Sequence, residues 1–60
     1  MNVTRIDYHE KADHYRRLAS EAAYCAATAL NPADMDAWDE RAARYDQMAD
    51  NALQMARKAA

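Results

Sequence analysis

Two stripes of alanine and aromatic residues, spaced by alternating steps of four and three, run through this sequence. Such alternation is typical of a heptad seam, the line along which two helices pack. The second stripe repeats the first at an offset of thirty residues, so that both carry the same sizes in the same order. The stripes are Tyr8, Ala12, Tyr15, Ala19, Ala22, Ala26 and Ala29, and Trp38, Ala42, Tyr45, Ala49, Ala52, Ala56 and Ala59. We therefore expect two equivalent helices that pack against each other.

A single proline separates the two stripes, within the segment LNPAD at residues 30–34. Proline disfavours helical geometry at the residue before it but suits the first position of a helix, so Asn31 is predicted to cap a helix that starts at Pro32. The chain has no Gly and is rich in helix-forming residues. The sequence predicts an all-α fold: one antiparallel hairpin domain over 1–60, with helix 1 over about 5–30, a turn at 31 and helix 2 over about 32–58.

The larger apolar side chains flank the alanine seam rather than fill it. A chain of 60 residues has room for one small domain, and each buried alanine methyl contributes only ~0.8 kcal/mol against an ordering cost of ~1.5 kcal/mol per residue. Either of two partners could cover these flanking side chains. One is a second copy of the chain, giving a homodimeric four-helix bundle, and the other is a different protein docked on a methionine-rich surface. The candidate interface residues are Leu18, Cys25, Leu30, Met48, Leu53 and Met55.

The formal charge of -2, with acidic and basic residues mixed along the chain, excludes a general attraction to phosphate backbones or anionic lipid. DNA and membrane are therefore not expected as partners. Helix 1 nevertheless has a modest basic bias. An alanine-rich helical hairpin of this length that dimerises into four helices resembles Rop, the plasmid RNA-pairing regulator, although no RNA-contact motif carries over. The resemblance implies structured RNA as an alternative partner, and the candidate RNA or partner contacts are Arg5, His9, Arg16, Arg17 and Tyr24.

Groups that could perform catalysis or hold a cofactor are sparse. His9, Glu10, Asp13 and His14 cluster on helix 1, where Glu10 and His14 have the i, i+4 spacing of two metal ligands. Helix 2 offers no matching His or Cys, so a metal-binding bundle is the weakest alternative. Cys25 lies ~16 Å along a helix from His14, too far for a nucleophile and its base. We expect no enzyme activity and no cofactor.

The sequence also predicts where the protein resides. Apolar runs never approach the ~18 residues of a membrane span, the first residues lack the apolar core of a signal peptide, and a lone cysteine fits a reducing compartment. We therefore expect a cytoplasmic, homo-oligomeric helical protein that binds another protein as an adaptor, inhibitor or regulator.

Overall fold

The computed structural model describes residues 7–59, which form two helices joined by a short turn. The first helix, α1, spans Tyr8–Thr28, and the second, α2, spans Pro32–Ala59. The two helices contact each other along their length, and only three residues connect them. The predicted all-α class and the helical hairpin are confirmed.

A side-chain cap sets the start of α1. Asp7 has an extended backbone, with φ −89° and ψ 99°, and its carboxylate accepts the backbone N–H groups of His9 and Glu10 at 3.1 Å each. These bonds satisfy donors that have no partner inside the helix. The helix therefore starts at Tyr8 rather than at about residue 5, although residues 5 and 6 themselves lie outside the described part of the chain. It ends at Thr28 rather than at 30, because Ala29 is extended, with ψ 144°.

The start of α2 is the one predicted. Pro32 is its first residue, and the side-chain oxygen of Asn31 accepts the backbone N–H of Asp34 at 2.9 Å. The side-chain amide of Asn31 donates in return to the Asp34 carboxylate at 3.0 Å. Asp34 in the first turn and Arg57 and Lys58 in the last turn have the charges that the helix dipole favours at each end.

The core of the hairpin is built almost entirely of alanine. Ala12 from α1 and Ala49 from α2 lie in one buried cluster with Ala52. Among the described residues no large side chain is fully buried. The buried residues all belong to the predicted stripes, which confirms the seam at six of its alanines: Ala12, Ala19, Ala22, Ala26, Ala49 and Ala52.

Candidate functional site: an aromatic–methionine face

The heptad register assigns the large apolar side chains to one side of the hairpin. Seam residues occupy heptad positions a and d; position g lies beside d, and position e beside a. In an antiparallel pair, the d and g positions of both helices come to one side and the a and e positions to the other. Within the two helices, every seam aromatic is at position d, whereas position a holds alanine everywhere except at Met35. We call the d and g side the aromatic–methionine face; its large members are Tyr8, Tyr15, Leu18, Cys25, Trp38, Tyr45, Met48 and Met55.

Four of these side chains line a shallow groove between the helices. Tyr8 and Tyr15 from α1 and Met48 and Met55 from α2 line it, and its volume is about 210 Å³. The methionines are 41% and 44% exposed, and the tyrosines are half-buried. The groove is therefore an apolar surface that the hairpin itself does not cover.

The same face continues toward the turn with a cation stacked on an aromatic ring. The guanidinium carbon of Arg41 lies 4.9 Å from the centroid of the Trp38 ring. Arg41, Arg44 and Tyr45 then join Met48 around a second depression. A cation over an indole is attracted by the negative face of the ring, an effect of about 0.5–1 kcal/mol at an exposed site. This contact holds one positive charge within the apolar surface.

Charge divides between the two sides of the hairpin. Position c borders g, and within α1 and α2, which leave out the N-cap Asp7, the charged residues at c, d and g are four basic and two acidic, a formal sum of +2. At positions b and e two residues are basic and five acidic, a formal sum of -3. The first set is Lys11, Arg41, Arg44, Lys58, Glu21 and Asp34, and the second is Arg16, Arg57, Asp13, Asp36, Asp39, Asp46 and Asp50. The aromatic–methionine face is thus the basic side of a chain that is acidic overall.

Few of these basic groups are held by carboxylates. Arg44 pairs with Glu40 at 3.6 Å, with both side chains largely exposed. Exposed pairs at i, i+4 contribute only about 0.3–0.5 kcal/mol, so a partner could compete for Arg44. Within residues 7–59, neither Lys11 nor Arg41 has a carboxylate oxygen within 4.0 Å. Lys11 lines the groove, and Arg41 lines the second depression.

The structure divides the six predicted interface residues into two groups. Leu18, Cys25, Met48 and Met55 are at g and belong to the aromatic–methionine face. Leu30 and Leu53 are at e, on the other side: Leu30 is 98% exposed beside the turn, and Leu53 packs against the alanine cluster. Four of the interface candidates therefore share one side of the hairpin, and the other two lie on the opposite side.

The candidate RNA contacts do not form a single face. Arg5 lies outside the described residues. The other four candidates are all exposed but lie on two separate stripes of α1: His9 and Arg16 at position e, and Arg17 and Tyr24 at position f. Carboxylates interrupt both stripes, since Glu10 lies at f and Asp13 at the adjoining b position.

Three members of the histidine and carboxylate cluster of α1, Glu10, Asp13 and His14, line an open depression together with Asp7, Lys11 and Arg17, whereas His9 does not line it. In the described part of the chain, no three His, Cys, Asp or Glu residues are placed to hold a metal ion. The side chain of Cys25 is half-buried and free.

Sequence reasoning missed the side to which the seam aromatics belong. Tyr8, Tyr15, Trp38 and Tyr45 are predicted as core by their spacing, yet all four are only half-buried. The available signal was their heptad position, because all four are at d and none at a. Lys11 and Arg41, both at g, were missed for the same reason.

Comparison with known proteins adds no assignment: no family model, curated protein or solved structure matches the chain. Across residues 7–59, neither helix has a stretch that is both long enough and apolar enough to cross a bilayer.

Proposed function

We propose that this chain is a small, non-enzymatic protein-interaction module that acts as an adaptor, inhibitor or regulator through its aromatic–methionine face. The observation that carries the proposal is the groove in which the exposed Met48 and Met55 lie beside Tyr8 and Tyr15. Contiguous exposed apolar surface is typical of interaction sites. Methionine side chains are flexible and polarizable, which suits them to partners of different shape.

The alanine core supports the same proposal on energetic grounds. Since no large side chain among the described residues is fully buried, the hairpin gains little from its own packing. Covering the groove would remove methionine and tyrosine surface from water at about 25 cal/mol per Å² of apolar area. Binding and folding of this module are therefore coupled, because any occupant of the face stabilises the folded state.

A second copy of the chain is the occupant that the sequence predicts, and the proposal includes it. Two aromatic–methionine faces packed together give a four-helix bundle in which each face covers the other. We place this homodimer in the cytoplasm, where the Cys25 thiol on the face would stay reduced.

Sedimentation equilibrium at micromolar concentration tests the proposal. We expect a mass above that of the 6.8 kDa monomer, and a monomer when Met48→Glu and Met55→Glu are combined, because two carboxylates would be desolvated at the contact. Met35→Glu is the matched control, since Met35 is 41% exposed like Met48 but lies at heptad position a, on the other side of the hairpin. A wild-type monomer would contradict the homodimer. A double variant that still associates would show that the aromatic–methionine face is not the dimer interface.

Structured RNA is the alternative partner, supported by the exposure of Arg16, Arg17 and Tyr24. The interrupting carboxylates are the reason for ranking it second, because they repel phosphate. Salt-dependent RNA binding that is lost in the combined Arg16→Ala and Arg17→Ala variant, with unchanged helicity, would favour RNA over protein.

A further inference from the structure

We infer that the partner recognised by the aromatic–methionine face is an acidic amphipathic helix of another protein. The inference rests on the proposed function and adds the chemistry of the partner. It makes the second copy a competitor for the same face.

The charges on the aromatic–methionine face carry the inference. Lys11 lines the groove and Arg41 lines the second depression of the same face; both lie at g, and neither has a carboxylate partner within the described residues. A second copy would bring a face with the same positive excess, since Glu21 and Asp34 balance only two of its four basic residues, and opposed like charges disfavour an association. An occupant with carboxylates beside its apolar stripe would pair with both. Charge complementarity therefore favours an acidic partner over self-association.

The spacing of the apolar side chains favours a helix. Tyr8 and Tyr15 are one heptad apart on α1, as are Met48 and Met55 on α2, which gives two rows with a repeat of ~10.5 Å. A helix repeats its apolar anchors over the same distance, as i, i+3 or i+4, and i+7. An extended strand repeats one face every ~6.6 Å and would lose register with these rows within one step.

The two cations also define where the partner's carboxylates lie. Ala12, next to Lys11, is in the buried cluster with Ala49, and Arg41 precedes Ala49 by eight residues. Since the helices are antiparallel, Lys11 is level with about residue 50, and the Cα atoms of Lys11 and Arg41 are ~13 Å apart along the hairpin axis, on opposite helices. The partner helix thus carries acidic residues two to three turns apart, one on each flank of its apolar stripe.

Two model peptides test this inference on the wild-type protein. Each has about three heptads with leucine at the seam positions, and the flanking positions are all glutamate in one peptide and all lysine in the other. Affinities are measured by fluorescence anisotropy at low and high salt, with peptide helicity matched by circular dichroism. We expect the glutamate peptide to bind at least about tenfold more tightly, a difference of ~1.4 kcal/mol, and the preference to shrink as salt screens the charges.

Charge reversal in the protein provides the second arm. The combined Lys11→Glu and Arg41→Glu variant should reverse the preference between the two peptides. Arg17→Glu is the matched control, because Arg17 is exposed at f, away from the groove, and should leave the preference unchanged.

The remaining outcomes separate the inference from the function on which it rests. Equal binding of both peptides, or tighter binding of the lysine peptide, would overturn the acidic partner but leave a protein-binding face. Binding of neither peptide by a protein that sediments as a dimer would assign the face to the second copy. Binding of neither peptide by a monomer would overturn the inference and the proposed function together.

Discussion

At the scale of single residues, two side chains determine where the helices begin. Asp7 caps α1 and Asn31 caps α2, each by accepting backbone N–H groups that the helix leaves without partners. Asn31 was predictable because Pro32 marks its position in the sequence. Asp7 was not, because three polar residues that can cap, Asn2, Thr4 and Asp7, precede the first helix and local sequence does not rank them.

We predict that Asn31→Ala lowers the free energy of unfolding by about 1 kcal/mol, because the backbone N–H of Asp34 loses its acceptor at the start of α2. Urea denaturation followed by circular dichroism measures the change. Asn51→Ala is the matched control, since Asn51 is exposed within α2, where alanine is the better helix former. Equal losses in the two variants would show that the cap contributes nothing.

At the scale of the helices, the alanine seam explains both what was predictable and what was not. Periodicity identified Ala12, Ala19 and Ala49 as contact residues, because a stripe defines which face of a helix is buried. Alanine at the contact lets helix axes approach toward the lower end of the ~8–10 Å range. An aromatic ring such as that of Tyr15 is too large for this gap, so it lies across the edge of the seam instead. The spacing of residues along the sequence shows which side chains lie on the seam, but not that the large ones are displaced to its edge.

The narrow seam makes enlargement harmful. We predict that Ala19→Leu lowers the free energy of unfolding by about 1–3 kcal/mol, because the added carbons have no space between the helices. Ala43→Leu makes the same change at an exposed position of α2 and should stay within about 0.5 kcal/mol of the wild type. Thermal unfolding of both variants at one protein concentration makes the comparison. An Ala19→Leu protein that melts higher with its association state unchanged would contradict the close packing.

At the scale of the whole molecule, the hairpin has two unlike sides. The a and e side is closed by alanine and rich in aspartate, whereas the d and g side exposes Met48 and Met55 among basic residues. The hairpin was predictable from one proline and two stripes. The division of charge was not recognised from composition, since the total of -2 conceals a basic side.

We predict that the melting temperature rises with protein concentration, because a second copy that covers the aromatic–methionine face binds only the folded state. Scans over a hundredfold range, from about 5 to 500 μM, should shift the midpoint by several degrees. Added salt should enlarge the stabilisation, since it screens the repulsion between two faces that each carry an excess of basic residues. The combined Met48→Glu and Met55→Glu variant is the control, whose midpoint should not depend on concentration. Identical wild-type midpoints across the range would contradict self-association.

The stacking of Arg41 on Trp38 has an optical consequence. Trp38 is the sole tryptophan of the chain and lies within the aromatic–methionine face, 4.9 Å from a cation. Indole emission responds to nearby charge and to water, and an occupant of this face alters both. The unlabelled protein is therefore its own fluorophore, and the colour of its emission reports whether the face is covered.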